Sequence, residues 1–350
     1  MTPEPATSGP TTSGPAAAGE PVRLGVVGLG WWGRTLAAAA RRSGAAEVVA
    51  GFARTEATRE SFAAEVGCRP ASSLSELLAA DDVEGVLFAT PHTHHLEHVR
   101  QAAAAGRHVF VEKPLTLTVA EARQVVAATD AAGVVLMVGH QRRRQAANRR
   151  LKQMLDDGSL GTPLLAESTF MVPSGYPDSW RADRAETPLG AMTGLGVHMV
   201  DTFHYLLGPI ERVAAFSRSV IGGEPLDHAT GLLLEFASGA VGTLLCTHFA
   251  PSASRVAVHG TAGAAFNEED GARLFAQRAG ESTRHELDVA VNDPLAEQIA
   301  DFAGAIRGGT TVETGGPEGL AVVAVLEAAI ASSRRGTAVP VPNLPPKVAP

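Results

Sequence analysis

Three glycines near the start of the chain have the spacing that binds a dinucleotide. The segment Gly28-Leu29-Gly30-Trp31-Trp32-Gly33 follows a short β-branched run and precedes an alanine-rich run, so it lies where a strand leads into a helix. There the first glycine permits a tight turn, the second admits a pyrophosphate, and the third lets helix and strand pack closely. The free amides of the helix N-terminus point at the anion. We predict a dinucleotide site at Gly28, Gly30, Trp31, Trp32 and Gly33; a turn that only joins strand to helix is the less favoured alternative.

The choice of cofactor depends on the end of the second predicted strand, about 20 residues further along. An NAD-preferring site usually has an acid there to hold the ribose hydroxyl. This chain has Arg54 and Thr55 instead. Because no acid repels a 2′-phosphate, Arg54 with Thr55 could bind it. The sequence favours NADP over NAD, unless Arg54 is only a solvated loop residue.

Histidines are concentrated after the next buried strand, in Thr90-Pro91-His92-Thr93-His94-His95 and at His98. Such a cluster raises the question of a metal site. However, no carboxylate or cysteine has the spacing of a zinc-protease motif. Ligands of parallel sheets bind at the carboxyl ends of the strands, where this segment lies. We therefore expect a cofactor-facing loop without a metal, with contacts from Thr90, Pro91, His92 and His95.

A glutamate, a lysine and a proline end the following strand, at Glu112, Lys113 and Pro114. A lysine at that edge, beside an acid and fixed by a proline, is well placed to meet the nicotinamide end of a dinucleotide. Gln141 and Arg142 follow the last predicted strand of the series, and we expect them to contact the cofactor or the substrate. Farther on, the loop residues Tyr176, Trp180 and Arg181 suit a polyhydroxylated ring through stacking and hydrogen bonds.

These motifs, together with the segment from Gly190 to Asp201, resemble the Gfo/Idh/MocA family (glucose–fructose oxidoreductase, inositol dehydrogenase and MocA) from Val22 to about Arg335. The resemblance implies an NAD(P)-dependent oxidoreductase that transfers a hydride between nicotinamide and a secondary alcohol or ketone of a sugar, inositol or related hydroxy compound. It places Lys113 and His198 at the reaction centre. His198 would be the general base, and Lys113 would polarise the oxygen.

One position departs from the family pattern. Inositol-dehydrogenase-like members carry an aspartate four residues before the histidine, where this chain has Gly194. His198 therefore lacks that orienting partner, and Asp201 or His204 could replace it; we also count Asp201 among the candidate substrate contacts. Two other functions stay open. The protein could be an epimerase or glycosidase with a recycled dinucleotide, or a dinucleotide-binding sensor without catalysis.

The elements that must position these residues fall into two groups. From Val22 to about Gly139, strands that are apolar throughout alternate with helices, which indicates a parallel sheet covered on both faces. Successive strands with separate helices follow. The predicted fold class is α/β, with a doubly wound Rossmann domain over residues 21–143 and an α+β domain with a largely antiparallel open sheet over 144–336. We expect a disordered tail over 1–20 and a proline-rich tail over 337–350.

Composition narrows the partners and the compartment. The 350 residues carry a net charge of −8, which argues against a general nucleic-acid binder. Apolar runs end before the roughly 20 residues that span a bilayer. Cys68 and Cys246 are too few for a disulfide framework, which favours a reducing cytoplasm. An open sheet face would be covered by another copy, so we expect a homodimer or homotetramer acting on a small-molecule substrate.

Overall fold

The computed structural model describes residues 19–175, 179–222 and 226–343, and they form two sheets with helices around them. The strands are β1 (Val22–Val27), β2 (Ala46–Phe52), β3 (Arg69–Pro70), β4 (Gly85–Phe88), β5 (His108–Val111), β6 (Leu136–Val138), β7 (Pro163–Met171), β8 (Ile210–Arg218), β9 (Ala229–Phe236), β10 (Val241–Thr247), β11 (Ala253–Gly260), β12 (Gly263–Glu268), β13 (Arg273–Arg278), β14 (His285–Leu287) and β15 (Val339–Pro340). The helices are α1 (Trp31–Ser43), α2 (Glu56–Val66), α3 (Leu74–Ala79), α4 (His95–Ala104), α5 (Val119–Ala132), α6 (Ala146–Asp156), α7 (Val197–Leu207), α8 (Pro294–Ile306) and α9 (Gly316–Arg335).

The first sheet is parallel and has the order β3-β2-β1-β4-β5-β6. Its central strands are apolar because helices cover both faces, and every residue of β4 is buried. The chain builds outward from β1 in one direction and then from β4 in the other. The carboxyl ends of β1 and β4 therefore border the crevice in which such sheets bind ligands. The predicted doubly wound domain is confirmed.

The second sheet has the order β14-β13-β12-β11-β7-β10-β9-β8-β15 and is antiparallel except where β7 lies parallel to β10. Along β9 and β10 buried and exposed residues alternate, as expected for a sheet with one covered face. The covered face packs on a core that includes Phe203 of α7 and Phe236 of β9, whose ring centroids lie 5.8 Å apart. The predicted α+β part with a largely antiparallel sheet is also confirmed.

The last two helices join the two parts. Phe302 of α8 packs edge-on against Phe110 of β5, with ring centroids 6.0 Å apart. In α9, Leu320 and Val323 face the core of the first sheet, whereas Val322 and Val325 face that of the second. The helices α8 and α9, which the sequence assigned to the second domain, thus complete the hydrophobic core of the first domain. The helix α9 is long and apolar enough to cross a membrane, but 61% of its apolar window is buried between the two cores, which explains its composition.

The two predicted tails differ in what the structure describes. Residues 1–18 of the predicted N-terminal tail lie outside the described part of the chain. At the other end, Val339 pairs with Val213 and Pro340 with Arg212, so the first residues of the predicted proline-rich tail form an edge strand beside β8. The boundary between 143 and 144 stays a prediction.

Candidate active site

The glycine turn between β1 and α1 has the form that a pyrophosphate needs. Gly28 has φ +91°, and a Cβ there would lie 2.4 Å from the Ala89 carbonyl oxygen. A Cβ on Gly33 would lie 2.1 Å from the Gly28 carbonyl oxygen, whereas a Cβ on Gly30 meets nothing described within 4 Å. The first turn of α1 contains no acid, and no side chain caps it. Free amides therefore face open space beside Gly30, which fits the anionic part of a dinucleotide.

The two tryptophans of this turn have different surroundings. Trp31 is 75% exposed, whereas Trp32 is half-buried and lies 5.0 Å from it between ring centroids. Trp32 Nε1 and Glu112 Oε1 are both buried and lack a well-aligned hydrogen-bond partner among the described residues. Although burial raises the pKa of Glu112, the Trp32 indole N–H lowers it as a hydrogen-bond donor, so these two side chains face each other at the inner edge of the crevice.

Glu112 and Lys113 form a coupled pair at the end of β5. Burial raises the pKa of Glu112 to about 7, although the charge of Lys113 opposes this shift. Burial lowers the pKa of Lys113 to about 8, and the charges of Arg181 and Arg142 lower it further while Glu112 acts against them. Lys113 Nζ donates to the Gly194 carbonyl oxygen at 2.7 Å. This contact holds the lysine against the second part of the chain.

His198 lies in the first turn of α7, directly after the π-helical segment Met192–Gly196. Its side chain is buried, and Nδ1 has no hydrogen-bond partner among the described residues. Burial and the charges of Lys113 and Arg142 hold its pKa well below the usual value. His198 is therefore a neutral imidazole at physiological pH, able to accept a hydrogen bond but a weak base.

Neither predicted substitute for the missing acid serves His198. Asp201 is fully buried and accepts two hydrogen bonds from Arg143, both at 2.8 Å. His204 lines a different cavity together with Arg143 and Glu318. The predicted substrate contact at Asp201 is thus replaced by a structural ion pair, because the bidentate guanidinium occupies the carboxylate.

Of the two residues after β6 that were predicted to contact the cofactor or the substrate, Arg142 is tied to other partners and Gln141 is not. Arg142 pairs with Asp270 at 2.5 Å, donates to Ser254 Oγ at 3.0 Å and lies over the Phe170 ring at 4.0 Å. Gln141 beside it is half-buried, and its Oε1 has no partner in the described segments. The amide of Gln141, rather than the guanidinium of Arg142, therefore has capacity for a ligand.

His95 fastens two loops together. Its Nε2 lies 3.1 Å from the Thr90 carbonyl oxygen, and its Nδ1 lies 3.0 Å from that of Pro114. The ring thus links the end of β4 to the end of β5, where Lys113 lies, instead of facing a cofactor. Thr90 itself contacts His98 Nδ1 through its hydroxyl at 3.1 Å, and its methyl group borders Gly28.

A loop from the second sheet closes over Pro91 and His92. His92 Nδ1 lies 2.7 Å from the Glu186 carbonyl oxygen, and the Thr93 amide donates to the Glu186 carboxylate at 3.0 Å. Trp180 meets His92 edge-on at 4.9 Å, and the Arg181 guanidinium lies 4.2 Å over the Trp180 ring. The structure therefore brings Trp180 and Arg181 to the Lys113 cleft, while the predicted contact Tyr176 lies outside the described residues.

The end of β2 carries the residues predicted to read the ribose. Arg54 and Thr55 are both exposed, and Thr55 precedes α2 without capping it. The sequence analysis missed Arg59, which donates to the carbonyl oxygens of Ala53 at 2.9 Å and Arg54 at 3.2 Å. Its position one helical turn after Thr55 is the signal that could have revealed it.

His248 is a second residue that the sequence analysis missed. It follows β10, and its Nε2 lies 3.6 Å from the place that a Cβ on Gly194 would occupy. Ser174 Oγ lies 2.9 Å from its Nδ1. Burial and the charges of Lys113 and Arg181 lower its pKa to about 4. A neutral imidazole therefore borders the space that the glycine leaves open.

Together these features define a class of protein. An open glycine turn at the switch point of a parallel sheet lies beside a half-buried lysine that a second part of the chain covers. This is the arrangement of a two-domain, dinucleotide-dependent oxidoreductase.

Comparison with known proteins agrees. Residues 22–140 match the Gfo/Idh/MocA oxidoreductase family with its NAD-binding Rossmann fold, and residues 148–266 match a C-terminal domain of the same family. The chain belongs to this family. The predictions of the family, the fold and an oxidoreductase acting on CH–OH groups are confirmed.

Individual relatives extend over most of the chain. It is 31% identical to D-apiose dehydrogenase of Paraburkholderia graminis, over 91% of this chain and 89% of that protein. It is 27% identical to inositol 2-dehydrogenase of Rhizobium meliloti, over 89% of this chain and 96% of that one. A solved structure from Desulfitobacterium hafniense, assigned as an NADPH-dependent oxidoreductase, superimposes with a TM-score of 0.87 at 29% identity, over 92% and 98% of the two chains.

Proposed function

We propose that this protein transfers a hydride between a nicotinamide dinucleotide and a secondary alcohol or ketone of a sugar, an inositol or a related hydroxy compound. The proposal rests on Lys113, a half-buried lysine next to the open glycine turn. Burial lowers the pKa of its amine. The relatives named above act on a sugar and on an inositol, which supports this substrate class. When bound, the nicotinamide ring supplies or accepts the hydride.

We assign the two central side chains from their surroundings. Lys113 exchanges the proton of the reacting oxygen, because a pKa of about 8 lets its amine both take and give a proton near neutral pH. His198 stays neutral and accepts a hydrogen bond that orients the hydroxyl group. The resemblance to the family implied other roles, with His198 as the general base and Lys113 polarising the oxygen. The absence of a side chain at position 194 removes the carboxylate that would raise its basicity.

We infer a preference for NADP over NAD. Arg54 is exposed at the end of β2, and Arg59 is fixed on the carbonyl oxygens of the same loop. Two guanidinium groups and an uncapped helix N-terminus support binding of a 2′-phosphate.

Three further assignments belong to the proposal. Leu233 of β9 and Leu245 of β10 are 53% and 50% exposed on the outer face of the second sheet, which supports pairing with a second copy as a homodimer or homotetramer. Cys68 and Cys246 are both free thiols, in keeping with a reducing cytoplasm. The net charge of −8 supports a small-molecule substrate rather than nucleic acid.

A turnover screen tests the function directly. The purified protein is incubated with NAD or NADP and with inositols, aldoses, sugar acids and amino sugars, and nicotinamide absorbance is followed. We expect net reduction of the dinucleotide with at least one polyol or sugar and a higher kcat/KM with NADP. A bound dinucleotide that turns substrate over without any net absorbance change would instead support the epimerase or glycosidase type of reaction.

A further inference from the structure

The cleft around Lys113 holds more positive than negative charge. The charges of Lys113 and Arg181 both lower the pKa of His92 and of His248. Two carboxylates border them. Burial raises the pKa of Glu112 to about 7, so it is not fully ionised at neutral pH, and Glu186 already accepts a hydrogen bond from the Thr93 amide. Gly194, against which the Lys113 amine lies, brings no side chain of its own.

Arg181 forms no ion pair in the described part of the chain, although the charge of Glu112 acts on it. Its guanidinium rests on the Trp180 ring at 4.2 Å. Nearby in the same loop, Arg184 pairs with Asp227 at 3.7 Å. The Arg181 side chain is exposed, and because Trp180 beneath it packs on His92, the guanidinium lies at the mouth of the cleft, where its charge acts on Glu112 and Lys113.

The loop that carries Arg181 is anchored on the first domain. Glu186 holds the Thr93 amide at 3.0 Å, and its carbonyl oxygen lies 2.7 Å from His92 Nδ1. Trp180 packs edge-on against His92. The contacts of Glu186 and Trp180 fix the loop on both sides of Arg181. Arg181 is therefore held at the cleft before any ligand binds, which reduces the entropic cost of a contact there.

The cleft also offers space for a substituent. A Cβ on Gly194 would find His248 Nε2 at 3.6 Å and no described atom closer. The Lys113 amine and His248 therefore border this space, and Arg181 lies at the mouth of the same cleft. An acidic side chain at position 194 would neutralise these cations and repel an anionic ligand.

We propose that the substrate carries an anionic group, a carboxylate or a phosphate, and that Arg181 binds this group beside the hydroxyl that reacts at Lys113. The inference rests on the proposed function and narrows its substrate to anionic hydroxy compounds. A guanidinium on an aromatic ring presents its planar donors to a carboxylate or phosphate in a bidentate geometry. A neutral sugar would offer this exposed guanidinium no charge partner and would leave it to water.

The experiment uses calorimetry to compare matched probes on the protein saturated with reduced dinucleotide, which cannot oxidise a hydroxyl group. The anionic probes are D-glucuronate, D-galacturonate and D-glucose 6-phosphate, and the neutral probes are D-glucose and D-galactose. We expect at least one anionic probe to bind about tenfold to a hundredfold more tightly than its neutral counterpart. The R181Q variant should lose that selectivity, whereas the matched control R184Q should keep it. If a uronate binds more tightly than the sugar phosphate, the anionic group is a carboxylate; if the sugar phosphate binds more tightly, it is a phosphate.

Three results would overturn the inference. The first is equal binding of anionic and neutral probes, or no binding of any anionic probe. The second is selectivity that survives in R181Q. The third is a loss of dinucleotide affinity in R181Q, which would assign the guanidinium to the cofactor. Because binding is measured without turnover, failure of the redox reaction in the screen above is seen separately from failure of anion recognition.

Discussion

The residues at the end of β5 combine two opposite effects of burial. Glu112 and Lys113 are neighbours, and removal from water raises the pKa of the acid to about 7 and lowers that of the amine to about 8. The pKa values of a glutamate and a lysine, which differ widely in solution, thus both lie close to neutral pH in this pair. Gly139 makes room for this pair, since a Cβ there would lie 2.7 Å from Glu112 Oε1.

The Lys113 amine should impose opposite pH profiles on the two directions of the reaction. Oxidation requires the neutral amine, so its kcat should rise with pH through about 8. Reduction requires the protonated amine, so its kcat should fall over the same range. The K113R variant, whose guanidinium stays charged, should lose the inflection in whatever activity remains. Persistence of the same inflection in K113R would assign the titration to another group.

The buried pair of Arg143 and Asp201 should contribute to stability rather than to chemistry. The D201N variant leaves a buried guanidinium without its charge partner, so we expect a loss of about 3–5 kcal/mol in the free energy of unfolding. The control is E286Q, which breaks the bidentate pair of Arg273 and Glu286 on the exposed edge of the second sheet. Urea denaturation should show no measurable change for E286Q. Similar urea midpoints for D201N and E286Q would refute a larger stabilising contribution from the buried pair than from the exposed pair.

At the scale of elements, the junction of β1 with α1 depends on two kinds of glycine. Gly28 and Gly33 are required by the fold, because their Cβ positions are filled by backbone atoms, whereas Gly30 borders open space. Motif spacing predicted the tight turn at Gly28 and the close packing at Gly33, whereas the pyrophosphate contact at Gly30 stays a prediction. Spacing could not reveal that Asp201 is claimed by Arg143, or that His95 links two loops, because both depend on residues distant in the sequence.

Alanine substitutions should separate these two roles. G33A places a methyl group against backbone, so we expect a loss of about 1–3 kcal/mol or more in the free energy of unfolding. G30A should fold normally but bind dinucleotide about tenfold more weakly, because its methyl group enters the pyrophosphate position. Thermal denaturation and dinucleotide titration measure the two effects. Unchanged dinucleotide affinity in G30A would contradict the assignment of the turn.

For the whole molecule, strand and helix patterns predicted the two sheets but not how the chain joins them. Apolar strands and alternating strands can be recognised locally. The return of α8 and α9 to the first sheet cannot, because an apolar helix does not specify which of two cores it will cover. The cleft depends on that return, since α9 packs on both cores and so holds α7 and His198 opposite Lys113.

The outer face of the second sheet leads to a prediction about assembly. Phe216, Leu233 and Leu245 expose half or more of their surface on adjacent strands. We expect a dimer or tetramer by light scattering at micromolar concentration, and dissociation by L233K. The control V291K alters a fully exposed residue outside the described strands. A monomeric wild-type protein, or a V291K variant that dissociates equally, would refute pairing through the sheet.

We propose that Lys113 carries the proton transfer, whereas other residues hold the dinucleotide. The most direct measurement is turnover and dinucleotide affinity of K113A, side by side with the wild type, on a substrate from the screen. We predict a fall of about 10²–10⁴-fold in kcat, with dinucleotide affinity close to that of the wild type. Turnover retained in K113A, or lost only because the dinucleotide no longer binds, would contradict the account.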